Sequence, residues 1–273
     1  MSKPYFGTDG IRGIANQILT PELAIKAGSA IAEVCTARGF QKRAIIIRDT
    51  RQSGEMLQLS ISSAFLAAGW NVTNGGVLPT PAASYAVRRG DFSLGVVISA
   101  SHNPAQDNGI KFFGPDGKKL MEEIESEAES LFEGHKFNRP VGTGLGSTAE
   151  GAEIRDGYFW HLKAAADRPL KNLKVVVDCA NGASYELAPR LLKELGMEVI
   201  KIGCEPDGLN INHTGGATKP QVVQQKIANC MAAGACVQWK FHNSDSSQTQ
   251  KNSEEGFEPP AFSLHKASAD GCK

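Results

Sequence analysis

Apolar residues recur along the first part of this chain in two periodic patterns. Short runs of β-branched residues at 44–47 and 95–100 predict buried strands, each followed by an abrupt change to polar residues. Thr20 and Pro21 begin a run with apolar residues at helical spacing until Gly39, which predicts a helix with a threonine cap. The alternation continues with a helix from Ser53 or Gly54, a short strand before Gly75 and a helix ending near Arg89. This order predicts a mainly parallel mixed sheet with helices on both faces, an α/β fold.

The pattern becomes more polar after the strand at 95–100. Gly114-Pro115-Asp116-Gly117 lies between two short apolar runs and predicts a hairpin turn. Residues 121–132 predict an acidic amphipathic helix, whose glutamates we interpret as a solvated face rather than a metal site. Residues 139–152 are rich in Gly, Thr and Ser and predict a linker.

A second α/β unit is predicted beyond this linker. Its helices are expected around 156–166 and 185–195, and its strands at 173–177 and 199–202. From about Asn229 the sequence loses periodicity and becomes rich in Ser, Gln, Asn, Glu and Lys, which predicts disorder. We therefore predict a complete domain at 1–150, a truncated second domain at 151–228 and a disordered tail at 229–273.

Charge and cysteine content narrow the classes of partner. The 29 basic and 29 acidic residues give zero net charge, which removes the electrostatic case for nucleic acid or an anionic membrane as partner. No apolar run approaches the roughly 20 residues that span a bilayer, so we predict a cytoplasmic protein. The six cysteines show no CxxC spacing, which favours reduced thiols. Cys35 lies on the apolar face of the first predicted helix, where we expect it to pack in the hydrophobic core.

The segment Gly95–Phe113, GVVISASHNPAQDNGIKFF, carries the strongest candidate chemistry. Ser101 follows the buried strand directly, at the kind of strand end where open α/β sheets bind ligands. A serine hydroxyl becomes a nucleophile only when neighbouring groups activate it, and His102 and Lys111 lie within ten residues. Ser101 is therefore the candidate nucleophile.

Two motifs resemble those of a known family. Ser-Ala-Ser-His-Asn-Pro at 99–104 followed by Asp-Asn-Gly-Ile-Lys-Phe-Phe at 107–113 resembles the phosphoserine loop of the α-D-phosphohexomutases. Tyr5–Gly13, YFGTDGIRG, is similar to the amino-terminal signature of their bacterial phosphoglucosamine mutase branch. The similarity runs from about Lys3 to about Lys219. It implies an isomerase that moves phosphate between the 6- and 1-positions of a hexosamine phosphate through a phosphoserine and a bisphosphorylated intermediate.

The resemblance also implies roles for individual residues. Ser101 would carry the phosphoryl group, and Lys111 would move a proton to or from the sugar hydroxyl. His102 would assist in catalysis by donating a hydrogen bond to phosphoryl oxygens or by orienting the loop, and a purely structural role in the turn is the alternative for it and for Asn103. Phosphate binding is implied for three residues, namely Thr8, Arg12 and Asn103. Mg²⁺ is the implied cofactor, held at Ser101 through its phosphate. Asp49 and Arg51 either line the same cleft or form a salt bridge where the second helix begins.

The chain departs from the family pattern in its last third. It contains no Asp-x-Asp-x-Asp motif of the kind that this branch uses to bind its metal, and it ends before two further domains that the family uses to hold the sugar. We therefore expect a truncated chain that is inactive alone. Two alternatives stay open: a non-catalytic fragment or binding module, and a relative with phosphomannomutase or phosphoglucomutase activity. The sequence predicts no oligomeric state.

Overall fold

The computed structural model describes residues 5–166, 169–171, 173–231 and 237–238. They form two compact units. The first contains the described residues up to Tyr158 together with Asp207–Ile211, and the second contains Phe159–Pro206 and the described residues from Asn212 onwards. The division after Tyr158 lies eight residues beyond the domain boundary predicted at residue 150.

A six-stranded mixed sheet forms the centre of the first unit. Its strands are β1 (Ile11–Ile14), β2 (Arg43–Arg48), β3 (Asn71–Val77), β4 (Leu94–Ile98), β5 (Asp107–Phe113) and β6 (Thr148–Glu150). The order across the sheet is β1-β5-β4-β2-β3-β6. The strands β4, β2, β3 and β6 run parallel, whereas β5 pairs antiparallel with both β4 and β1. The predicted fold class is confirmed.

Helices cover both faces of this sheet. They are α1 (Pro21–Ala37), α2 (Ser53–Ala67), α3 (Pro81–Arg88) and α4 (Glu122–Ser130). Residues of α1, α2 and α4 share one buried core with Ile46, Val96 and Phe112 of the sheet. On the opposite face, Gly95 lets α3 lie close to β4, since a Cβ there would be 3.3 Å from a methyl carbon of Val87. The alternation of side chains along each strand produces these two apolar faces.

The second unit is a smaller α/β structure. The division between Tyr158 and Phe159 falls within the helix α5 (Ala152–Ala164). The remaining elements are β7 (Lys174–Asp178), α6 (Leu187–Glu194), β8 (Glu198–Ile202), α7 (Gln221–Met231) and β9 (Val237–Gln238). The strand order is β8-β7-β9, with parallel pairing throughout. The predicted helices and strands of this unit are present, and α5 begins four residues before the predicted start at 156.

Three expectations about irregular segments need correction. The predicted linker at 139–152 contains a short 3₁₀ helix, Gly142–Gly144, and the edge strand β6. All three residues of β6 are exposed, so its pairing with β3 depends on backbone hydrogen bonds that leave no apolar pattern. The pattern of apolar residues also did not predict the strand β1, which lies between two turns. In the predicted disordered tail, 229–231 complete α7 and 237–238 form β9, while the other tail residues lie outside the described residues.

Among the described residues, no helix is both long enough and apolar enough to cross a bilayer.

Candidate functional site

The parallel pairing of β2 and β4 brings two polar residues together at their carboxyl ends. Arg48 pairs with Ile98 at the end of the ladder, and the next residues are Asp49 and Ser99. The Asp49 amide donates to the Ile98 carbonyl at 3.0 Å, and the Ser99 hydroxyl donates to Asp49 Oδ2 at 2.6 Å. The carboxyl edge of the sheet is therefore held by a short side-chain hydrogen bond.

Ser101 lies in the loop that follows this edge, which we call the serine loop (residues 100–104). Its φ angle is +56°, in the left-handed region that non-glycine residues seldom occupy. Its amide donates to Ser99 Oγ at 3.0 Å, and its hydroxyl lies 3.5 Å from His102 Nδ1. The structure thus places His102 beside the predicted nucleophile, as a hydrogen-bonding neighbour of its oxygen.

Asn103 closes the serine loop. Its side-chain amide donates to Asp107 Oδ2 at 2.9 Å, and its backbone amide donates to the Ala100 carbonyl at 3.1 Å. These bonds link the end of the loop to the beginning of β5. Asn103, which is predicted to bind phosphate, therefore also stabilises the turn at the end of the loop.

Arg51 is buried beneath the serine loop. Its Nε is 3.0 Å from Asp49 Oδ2, and both side chains are almost fully buried. The expected salt bridge is therefore present, and the low exposure of Arg51, 1%, excludes the alternative in which it lines an open cleft. Its remaining guanidinium nitrogens donate to backbone carbonyls of the loop.

A second group of charged residues lies on β1, β5 and the turn before them. Arg12 is opposite Gly109 in the antiparallel pair, so Arg12 and Lys111 project from the same face. Asp9 lies between them, with its oxygens 3.5 Å from Arg12 Nη2 and 3.8 Å from Lys111 Nζ. Lys111 is only 7% exposed, so its side chain is largely shielded from solvent. Two predicted site residues are thus joined through one carboxylate.

Thr8 occupies the exposed tip of the turn that carries Asp9. The amide of Gly7 donates to the Gly10 carbonyl at 3.0 Å, and the Gly10 amide donates back to Gly7 at 3.1 Å. Gly10 has a φ of +78°, and a Cβ there would lie 2.2 Å from the carbonyl oxygen of Ile110. Only glycine allows β1 and its preceding turn to approach β5 so closely.

The acidic helix α4 exposes Glu122, Glu123 and Glu127, as predicted for a solvated face, whereas two of its glutamates hold neighbouring segments. Glu129 accepts hydrogen bonds from the amides of Tyr5 at 2.8 Å and Phe6 at 3.2 Å. Glu125 is 2% exposed and accepts from Lys119 Nζ at 2.8 Å, and burial raises its pKa. These two contacts were not predicted, because helical periodicity marks the inward face of a helix but does not reveal which groups of another segment lie against it.

The implied magnesium site is not assembled from the residues that the structure describes. In those ranges, no group of three or more His, Cys, Asp or Glu side chains could hold a metal ion. The carboxylates nearest the serine loop, Asp49 and Asp107, already accept hydrogen bonds from Arg51, Ser99 and Asn103. The described side chains therefore do not fit the cofactor by themselves.

Two thiols lie together in the second unit. Cys179 follows β7 and Cys204 follows β8, and Cys204 packs against the buried cluster that contains Cys179. A hydrogen bond between the two side chains lowers the pKa of Cys204 and raises that of Cys179, which burial raises further. Both are free thiols, as is Cys35, whose burial raises its pKa to about 12. The predicted core position of Cys35 is confirmed.

Sequence reasoning missed one residue of this site. Ser99 was treated as part of the strand, yet its hydroxyl links Asp49 to the amide of Ser101. A signal was available, because Ser99 and Ser101 are two residues apart and the first of them ends a run of apolar residues. The partner of that hydroxyl, however, lies 50 residues away in the chain.

Family models match most of the chain. The model described as phosphoglucomutase/phosphomannomutase, alpha/beta/alpha domain I, matches residues 3–139, and the model for alpha/beta/alpha domain II matches residues 156–237. The first match contains the serine loop and the Gly7–Gly10 turn.

Curated and structurally characterised relatives agree with these matches. The chain is 50% identical over 224 residues to a phosphoglucosamine mutase of Desulforamulus reducens, covering 81% of this chain and 50% of that protein. It is 46% identical over 233 residues to a phosphoglucosamine mutase of Methylorubrum extorquens, covering 84% and 52%. The crystal structure of a phosphoglucomutase/phosphomannomutase family protein from Burkholderia thailandensis superimposes with a TM-score of 0.73 at 28% identity, covering 88% of this chain and 51% of that one. The chain spans about half the length of the relatives it matches. It belongs to the phosphoglucomutase/phosphomannomutase family.

Proposed function

We infer that this chain carries the phosphoserine part of a phosphoglucosamine mutase-type reaction, with Ser101 as the residue that holds the phosphoryl group. The observation that carries this proposal is the strained serine loop at the carboxyl edge of the sheet, with His102 Nδ1 3.5 Å from the Ser101 hydroxyl oxygen. A site whose backbone is held in an unusual conformation is typical of functional positions. The 50% identity to a phosphoglucosamine mutase supports the reaction class.

In the proposed reaction the phosphoserine donates its phosphoryl group to a hydroxyl of the sugar phosphate. The bond between Ser101 Oγ and phosphorus breaks while a new phosphorus–oxygen bond forms on the sugar, which gives a bisphosphate. Transfer of the other phosphoryl group back to Ser101 completes the exchange between the 6- and 1-positions. Such transfers depend chiefly on positioning and on stabilising the charge of the moving group.

The surrounding residues have distinct proposed tasks. Lys111 moves a proton to or from the reacting sugar hydroxyl, and Asp9, 3.8 Å away, orients its ammonium group. Arg12 offers a planar donor pair to phosphate oxygens, and Thr8 and Asn103 add neutral donors. His102 donates to or accepts from the serine oxygen according to its tautomer. The magnesium expected for the family has no protein site among the described residues, so none of these roles is routed through it.

Glucosamine phosphate as the substrate is the finer part of the proposal. It is supported by the names of the relatives that share 46–50% identity with this chain. Mannose and glucose phosphates are the alternative substrates, and a non-catalytic binding module is the alternative function. The cytoplasmic location stays a prediction.

Phosphoryl capture by the purified chain tests this proposal. Incubation with radiolabelled glucose 1,6-bisphosphate should label the protein, and peptide mass spectrometry should locate the phosphate on Ser101. Ser101→Ala should remove the label, whereas Ser130→Ala should keep it, because the Ser130 hydroxyl lies on α4 and donates to the Glu127 carbonyl. Label on Ser99, or label that persists in Ser101→Ala, would contradict the assignment.

A coupled assay with glucosamine, mannose and glucose phosphates follows, in which turnover of only one sugar phosphate would identify the substrate. Ser101→Ala measures the background from host enzymes. The earlier expectation that the chain is inactive alone remains a prediction, and the same assay tests it.

A further inference from the structure

One buried cation connects the ends of β2 and β4 to the serine loop. Arg51 has a fully buried side chain, and its Nη2 donates to the carbonyls of Ser101 at 3.0 Å and Asn103 at 2.9 Å. Its Nη1 donates to the Pro104 carbonyl, and its Nε donates to Asp49. A single planar group therefore holds three of the five residues of the serine loop by their backbone.

These contacts depend on the shape of the guanidinium group. Arginine presents five N–H donors in a rigid planar fork, whereas lysine presents three donors on one nitrogen atom. A lysine at position 51 could keep the charge opposite Asp49 but could not reach the carbonyls of Ser101, Asn103 and Pro104 at once. The position therefore requires arginine for a geometric reason beyond charge.

The same network holds Ser101 from both sides. Its carbonyl accepts from Arg51, and its amide donates to Ser99 Oγ. Asp49 Oδ2 accepts from both Ser99 and Arg51, at 2.6 and 3.0 Å, so the two supports share one acceptor. A left-handed conformation at a non-glycine residue persists only when its surroundings over-determine it. The Asp49–Arg51–Ser99 network provides that restraint.

Burial and pairing separate Arg51 from the residues proposed to bind phosphate. Its charge is compensated by Asp49, and the residue is 1% exposed. Arg12, by comparison, has a side chain that is 24% exposed. Arg51 is thus placed to act on the loop rather than on a ligand.

We propose that Arg51 is a positioning residue, which fixes the serine loop so that the Ser101 hydroxyl is presented in one orientation for phosphoryl transfer. The catalytic consequence rests on the proposed function, whereas the control of loop conformation does not. The two parts are therefore measured separately.

Amide hydrogen exchange of the full chain tests the conformational part. Arg51→Lys should accelerate exchange of the Ser101 and Asn103 amides by about tenfold or more, since the restraints on local opening are lost. The matched control is Arg139→Lys, because Arg139 donates instead to the Ser29 hydroxyl at 2.9 Å and the Ala64 carbonyl. The free energy of global unfolding, measured with urea for each variant, is used to correct the exchange rates of both variants. Equal loop exchange in the two variants would overturn the proposal.

A second variant covers the case in which Arg51→Lys does not fold. The double variant Asp49→Asn with Arg51→Gln removes both charges together and leaves no buried unpaired ion. It should show the same fast exchange at Ser101 and Asn103. Protection of both amides at the wild-type level in this variant would also overturn the proposal.

Labelling kinetics with glucose 1,6-bisphosphate test the catalytic part. Arg51→Lys should lower the maximal rate of phosphate incorporation at Ser101 by about 10²-fold, the scale of a misplacement near 1 Å. The bisphosphate concentration at half-maximal rate should change by less than about twofold, since Arg51 is placed to contact no ligand. A raised half-maximal concentration, or an unchanged maximal rate, would refute the positioning role. An unlabelled wild-type chain would refute the proposed function instead, and the exchange comparison would still decide the role of Arg51.

Discussion

Replacing Gly10 by alanine should destabilise the first unit by roughly 2–5 kcal/mol. The left-handed φ of +78° costs an L-residue about 1–2 kcal/mol. The new methyl carbon would lie 2.2 Å from the Ile110 carbonyl oxygen, so β1 must move away from β5, and overpacking of this kind typically costs about 1–3 kcal/mol more. The displacement would also shift Arg12 and Asp9 relative to Lys111.

Gly39→Ala supplies the matched control. Gly39 has nearly the same φ, +81°, but a Cβ there meets no atom within 4 Å. Gly39→Ala should therefore lower the free energy of unfolding only by the cost of the left-handed conformation, about 1–2 kcal/mol. The difference between the two variants therefore isolates the close approach of Gly10 to β5.

Urea unfolding followed by tryptophan fluorescence measures this difference. Trp70 is fully buried in the core of the first unit, so a background with Trp160 and Trp239 replaced by phenylalanine reports on that unit alone. If Gly10→Ala lost no more stability than Gly39→Ala, the inferred contact with Ile110 would be refuted.

Three further outcomes are expected. Ser99→Ala should lower the free energy of unfolding by about 1–2 kcal/mol, since it removes both hydrogen bonds of the Ser99 hydroxyl. An unchanged urea midpoint would contradict the Asp49–Arg51–Ser99 network. Cys204 should react with iodoacetamide faster than Cys179, with a titration midpoint below its ordinary value of 9.0, and peptide mass spectrometry showing the reverse order would count against the thiol pairing. Burial raises the pKa of Glu125 above its ordinary value of 4.5, so its stabilising contribution is present below that pH and is lost as pH rises through the folded pKa. The stability of the wild type relative to Glu125→Gln should therefore fall from about pH 4.5 upward, and urea midpoints that show a rise would contradict this sign.

The elements that carry strong local patterns could be predicted from the sequence. The helix α1 begins after Thr20, whose hydroxyl accepts from the Leu23 amide at 3.2 Å, as expected for a threonine cap. The strands β2 and β4 lie where the β-branched runs indicated, because strands buried on both faces need continuous apolar residues. Edge strands need no such pattern, which is why β1 and β6 were missed.

The motifs at 5–13 and 99–113 were enough to predict the family and to select Ser101, His102, Arg12 and Lys111 as candidates. Those choices rest on the resemblance of the two contiguous motifs to those of the family, which the sequence alone displays. Whether each candidate acts as proposed awaits the labelling and coupled assays.

By itself, the sequence determined the α/β class, most of the helices and strands, and the family, because each of these depends on local periodicity or on contiguous motifs. Only the tertiary structure decided that Arg51 lies beneath the serine loop, that Ser99 joins Asp49 to Ser101, and that Asp9 lies between Arg12 and Lys111. The physical reason is that these contacts join residues on different strands and turns, up to about a hundred positions apart. Strand order and register bring them together, and neither is encoded in any single segment.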